Sequence, residues 1–161
     1  MGKIRARVVS SAPLETLYAL GRQPHLFPEL FPNLKNIKIL ETSEDGNYIK
    51  AEWTAEARPV RKKRSMTWIQ EDRWDDNDKC CRFQCAREGR GHFKQMSGVW
   101  SFKSIGDSTE MTVDMDYEMD HPLLRLHPFA VKIIDNIFRE NNEALLNGIK
   151  QRAESGASGS C

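Results

Sequence analysis

From Thr109 to Met119 apolar and polar residues alternate without a break: Met111, Val113, Met115, Tyr117 and Met119 fall on one side, Glu110, Thr112, Asp114, Asp116 and Glu118 on the other. That period of two predicts a strand with one wet face. The period then changes. From Leu123 to about Arg152 the apolar residues recur at helical spacing, with Phe129, Ile133, Ile137 and Ala144 on one line and Ile134, Phe138, Leu145 and Ile149 beside it, which predicts a long amphipathic helix. A helix of roughly 25 residues is about 38 Å long. Only a broad curved sheet covers such an apolar stripe, and the space between sheet and helix is a natural ligand cavity.

The upstream pattern supplies that sheet. Residues 3–9 alternate Ile4, Ala6 and Val8 against Arg5 and Arg7. Ser10-Ser11-Ala12-Pro13 then offers a capping hydroxyl and an early proline, a helix start, for a short helix carrying Leu14, Leu17 and Tyr18 up to Gly21. The prolines between Pro24 and Pro32 leave room for a turn or two of helix. Strands over 36–41 and 48–55 flank a turn at Glu44-Asp45-Gly46-Asn47, with Ile49, Ala51 and Trp53 on one face. Arg61–Trp74 alternates over an unusual length and puts Arg64, Met66, Trp68, Gln70, Asp72 and Trp74 together, ending at the turn Asp75–Asp78. A short strand over 80–87 groups Cys81, Phe83 and Cys85, and a strand over 93–104 contains Gly98, which predicts a bulge or bend. About seven antiparallel strands, two short helices after the first strand and one long closing helix make an α+β plan with helices on one face. Residues 1–153 are expected to form one domain, and the small, polar tail 154–161 to be disordered.

Composition narrows the function classes. At 161 residues and 18.5 kDa the chain buries a core without metals or disulfides. A charged fraction of 29% with net charge +1 exerts no global pull toward nucleic acid or anionic membrane, so nucleic acid is not an expected partner. The N-terminal residues contain no apolar run of signal-peptide or membrane-spanning length, which points to the cytoplasm and to no transmembrane segment. Cys80, Cys81, Cys85 and Cys161 lack paired C-x-x-C spacing, and His25, His92, His121 and His127 are scattered. No metal site, disulfide framework or cofactor is therefore expected.

The stretches APLETLYAL, FPELFPNLKNIKIL, FKQMSGVWSF and STEMTVDMDYEM, in that order of elements, resemble the START-like (SRPBCC) superfamily, and within it the polyketide cyclase/dehydrase group. That group includes aromatase/cyclases, coenzyme-Q-binding proteins and the bacterial ribosome-association toxin. The resemblance covers residues 3 to about 153 and implies a helix-grip fold: a seven-stranded curved antiparallel sheet wrapped around the long C-terminal helix, with a cavity between them. Combined with the alternation, it nominates Trp53, Met66, Trp68, Phe83, Trp100, Met115 and Tyr117 from the sheet and Phe129, Ile133 and Ile137 from the helix as the lining. Aromatics and thioethers suit a large apolar or polyaromatic ligand, such as a lipid, an isoprenoid quinone or a polyketide; the same side chains equally fill a core.

Chemistry at such a site needs a polar group. In aromatase/cyclases of the group the resemblance implies a tyrosine just after the PELF motif and an arginine after the tryptophan-bearing strand segment. Here Leu34 and Asp72 stand at those places. Arg73 recovers the arginine only through a one-residue shift, which turns a strand side chain to the other face. Arg64, facing inward, would neutralise a carboxylate or enolate, or else sit at a solvated strand end. Tyr117 would hydrogen-bond a ligand carbonyl. Gln70 and Asp72 share the face of Arg64 and are polar candidates if that face turns inward; flanked by Glu71 and Arg73, Asp72 otherwise reads as part of a surface charge run. Three functions follow: a carrier of a hydrophobic small molecule, a polyketide aromatase/cyclase, or a ribosome- or RNA-associated regulator. The last would use the run Arg58–Arg64, five basic residues in seven, although alternation splits that run between two faces and no aromatics interleave it. An exposed strand edge or an apolar cavity mouth would each drive weak homodimerisation.

Overall fold

The alternating segments pair edge to edge. The computed structural model describes residues 2–57, 64–120 and 128–158. Their order is β1 (Gly2–Ser10), α1 (Leu14–Gly21), a 3-10 turn (Pro24–Leu26), α2 (Phe27–Leu30), β2 (Leu34–Thr42), β3 (Tyr48–Ala57), β4 (Arg64–Asp75), β5 (Cys80–Cys85), a 3-10 turn (Arg87–Gly89), β6 (Phe93–Ile105), β7 (Ser108–Met119) and α3 (Pro128–Ser158). The strands form one antiparallel sheet in the order β1-β7-β6-β5-β4-β3-β2. The first strand thus lies beside the last, and α1 and α2 carry the chain from that edge to the opposite one. This is the helix-grip plan expected from the sequence. No helix among the described residues is long and apolar enough to cross a membrane.

The alternating apolar residues of β1, β3, β6 and β7 face one side, and α3 presses onto it. Its C-terminal half is the anchor: Leu146, Ile149 and Ala153 are buried. Gly148 makes the close approach to α2 possible, since a Cβ there would lie 2.3 Å from the Leu30 carbonyl oxygen. The outer face of the sheet is polar, with the rows Lys3–Asp116, Arg5–Asp114 and Arg7–Glu110 exposed between β1 and β7. Pairs of this kind contribute little each; the grip comes from apolar burial.

Three local expectations change. Ser10 and Ser11 do not cap α1, whose N-cap is Pro13 without a side-chain bond. Their hydroxyls donate to Glu154 instead, as does the Ser11 N–H, so they tie the end of α3 to the end of β1. The tail expected from Glu154 onward is accordingly helical through Ser158. Gly98 does not mark a bulge. Its ladders to β5 and β7 run in unbroken register. The glycine is needed because the Phe83 ring and the Asp114 carbonyl oxygen would each lie 2.4 Å from a Cβ at that position. The irregularity in β6 falls earlier, between Phe93 and Gln95.

Candidate functional site

Between the concave face and α3 lies a cavity of about 120 Å³. β4 contributes Met66, Trp68, Gln70 and Asp72 to its wall, β3 contributes Trp53, Ala55 and Glu56, and β5 contributes Cys81 and Phe83. Phe93, Met96 and Trp100 of β6 and Val113 and Met115 of β7 complete the sheet side. Phe31 and Leu34 close one edge, and Phe138, Asn141, Asn142, Leu145 and Leu146 of α3 form the roof. The register dictates much of this. Trp53 stands opposite Trp68, and their rings stack at 5.9 Å between centroids, 21° apart in plane. Trp68 also meets Phe93 edge to face at 5.8 Å.

Along β4 a polar line crosses this apolar wall. Residues two apart on a strand share a face, so Trp68, Gln70 and Asp72 stand in a row. Trp68 Nε1 donates to Gln70 Oε1 at 3.1 Å, and Gln70 Nε2 donates to Asp72 Oδ1 at 2.9 Å. The indole has only a donor, so it fixes which end of the Gln70 amide faces Asp72. Asp72 is 7% exposed and forms no ion pair among the described residues. Burial pushes its carboxyl up to about 7, the Gln70 bond pulling weakly the other way. Cys81, also in the wall, is a free thiol, held far above the ordinary range by burial and by the neighbouring Asp72 carboxylate. Glu56, at another part of the wall, pairs with Lys35 at 3.7 Å. No lysine, arginine or histidine among the described residues lines the cavity.

Asp72 is the principal correction to the sequence reading. It does not belong to a surface run. β4 pairs with β3 and β5 without a register shift, so Asp72 faces inward and Arg73 outward, where its guanidinium lies 4.8 Å from the centre of the Tyr48 ring. The inward position at which the resemblance implies an arginine therefore carries an acid in this chain.

The other nominated residues divide. Trp53, Met66, Trp68, Phe83, Trp100 and Met115 line the cavity. Phe129 and Ile133 do not: they are 78% and 46% exposed, and Ile137 on the same line is absent from the wall. The neighbouring helical line turns inward instead, through Phe138, Asn141, Asn142 and Leu145. Two asparagines in that line disguise it in the sequence. Phe93 and Met96 line the wall without having been nominated: Met96 is in step with Trp100 along β6, and the irregularity after Phe93 puts that residue on the same inner face. The Arg64 side chain, residues 58–63 of the basic run and His127 lie outside the described residues.

Tyr117 is buried but lies off the cavity wall. Its hydroxyl donates to Asp135 of α3, its ring meets Phe138 edge to face at 4.7 Å, and burial with that carboxylate neighbour drives its pKa well up. It ties the sheet to the roof. Tyr117→Phe is expected to cost about 1 kcal/mol of stability in urea denaturation.

Comparison with known proteins agrees with this architecture. A protein family described as polyketide cyclase / dehydrase and lipid transport matches residues 10–146. No curated protein matches the chain. Among solved structures, TTHA0849 of Thermus thermophilus superposes with a TM-score of 0.82 at 24% identity, covering 96% of this chain and 99% of that one. The Zhui aromatase/cyclase of a Streptomyces species gives 0.74 at 16% identity, covering 95% and 93%. A START superfamily protein of Mycobacterium smegmatis gives 0.75 at 21%, covering 95% and 97%. These likenesses are of fold. With the family match spanning most of its length, the chain belongs to the polyketide cyclase / dehydrase and lipid transport family.

Proposed function

We propose that the protein binds a hydrophobic small molecule in the cavity between sheet and α3 and acts as a carrier. The observation that supports this reading is the wall itself: Trp53, Trp68, Phe83, Phe93 and Trp100 offer flat ring surface, and Met66, Met96 and Met115 offer adaptable thioethers. Such a surface favours an apolar guest, which packs against rings and thioethers. The volume sets the scale. About 120 Å³ is close to the size that admits a benzene ring, roughly 150 Å³, and well below the roughly 300–1,000 Å³ of pockets that enclose drug-sized ligands. The closed form therefore takes one ring. A whole isoprenoid quinone, lipid or polyketide enters only with α3 displaced from the sheet.

Mass spectrometry of the purified protein, first native and then denatured, tests the reading by asking whether a small apolar molecule is released. Calorimetric titration with toluene tests it without a co-purified ligand. Ala55→Phe, which inserts a ring into the wall, is expected to weaken toluene binding at least tenfold while the protein stays folded. Binding of toluene by Ala55→Phe with native affinity would move the site elsewhere.

One observation favours a second reading, an aromatase/cyclase. Asp72 titrates near neutrality, as a general acid or base in a closed pocket would. It would then take the proton from an acidic methylene of a poly-β-ketone. Loss of turnover of a linear polyketide surrogate in Asp72→Asn, with surrogate binding retained, is the result this reading requires.

A further inference from the structure

The cavity wall is not electrically neutral in kind. Its titratable side chains among the described residues are two carboxylates, Asp72 and Glu56, and the Cys81 thiol. Glu56 has Lys35 as its counter-ion at 3.7 Å; Asp72 has none among the described residues. The hydrogen-bond polarity of the β4 row points the same way. Because Trp68 occupies Gln70 Oε1, Gln70 turns its N–H toward Asp72. Asp72 Oδ1 is thereby preset as an acceptor, and above about pH 7, where the carboxyl is ionised, a ligand that meets it must bring a donor. An anion would meet an uncompensated like charge in a dry pocket, where such repulsion is large. A cation would find a counter-charge in a wall that also holds Trp53, Trp68, Phe83 and Trp100, aromatic residues of the kind that attract cations.

Resting on the cavity reading above, we infer that the ligand is a single-ring amine, its protonated nitrogen bound at Asp72 and its ring held among the tryptophans, and that fatty acids and other carboxylates are rejected. The ring-sized volume limits the guest to one ring. The burial that holds the Asp72 proton near neutrality in the empty protein makes amine capture a proton exchange: the cation enters as the carboxyl proton leaves to solvent. The groups facing Asp72 are Ile49 of β3 and Phe83 of β5 in register, with Cys81 beside it on β5. None of these carries a positive charge that would substitute for the ligand's.

The test is calorimetric titration of the full chain with four isosteric probes, benzylamine, benzyl alcohol, benzoate and toluene, at pH 8. Benzylamine is expected to bind at least tenfold tighter than toluene, and benzoate at least tenfold weaker than toluene. In Asp72→Asn the advantage of benzylamine over toluene is expected to vanish. In the unaltered protein it is expected to shrink by about tenfold per pH unit below about 7, as protons compete for the carboxylate, while benzylamine itself stays charged. Benzyl alcohol or benzoate binding as tightly as benzylamine, or an amine preference that survives Asp72→Asn or is flat with pH, overturns the inference. Toluene binding with no amine preference overturns the inference and leaves the cavity reading standing, whereas failure of all four probes overturns both.

Discussion

Asp72→Asn is expected to raise the stability of the protein at pH 8 and to abolish its decline between about pH 4 and pH 7. The argument starts from the strand face. Asp72 is buried between β3 and β5 with a single hydrogen bond from Gln70, so its charged form loses water without a cationic partner. Its carboxyl holds its proton up to about pH 7 in the folded chain and releases it near pH 4 in the unfolded chain. Between those values the folded state binds a proton that the unfolded state does not, so stability falls as pH rises. The contribution of Asp72 is highest below about pH 4, declines through the window and stays low above about pH 7. A difference of about three pH units corresponds to on the order of 4 kcal/mol at most. Asparagine keeps an oxygen for Gln70 Nε2 and carries no charge, so the variant should lack this decline. Urea denaturation of both proteins from pH 4 to pH 8 is the measurement; parallel profiles would mean that Asp72 is not the group that titrates.

Phe27→Ala is expected to destabilise the protein by about 3–5 kcal/mol. Phe27, in α2, is 1% exposed and its ring lies 5.9 Å from the Trp53 ring and 5.9 Å from the Trp100 ring. It is the contact by which a one-turn helix between prolines is held against the inner face of the sheet. A helix that short has no stability of its own, so its position depends on what it buries. Removing the ring leaves a void bordered by two cavity-lining tryptophans, and tryptophan fluorescence should report the altered surroundings as the denaturation midpoint drops. A loss below about 1 kcal/mol would show that the site collapses to fill the gap.

The site was legible where local period and wall position coincide. Trp53, Met66, Trp68, Phe83, Trp100 and Met115 were each nominated from alternation combined with the family resemblance, and each lies in the wall. The closing helix was less legible. Its two adjacent apolar lines differ by a small rotation, and the line interrupted by Asn141 and Asn142 is the one that turns inward. Polar residues on an inward face look like a surface face to any count of hydrophobicity, yet here Asn142 donates to the Phe138 carbonyl and Asn141 accepts from Asn33. Asp72 carried two competing readings, the face it shares with Trp68 and the charge of its neighbours. Glu71, Asp72 and Arg73 form an acidic-basic run in the chain, but strand geometry sends the middle member to the opposite face from its neighbours.

By itself, then, the sequence determined the strands and the closing helix, because periods of two and 3.6 are properties of a few adjacent residues and state which face each element must bury, and its resemblance to a known family implied the helix-grip plan. The tertiary structure alone decided the rest. Which line of α3 forms the roof follows from its anchoring through Leu146, Ile149 and Ala153. The inward turn of Phe93 follows from an irregularity in one ladder. The character of Asp72 follows from neighbours on β3 and β5 that exclude water from it. Each depends on contacts between segments far apart in the chain, and desolvation, the force that gives Asp72 its unusual affinity for a proton, exists only once those segments have come together.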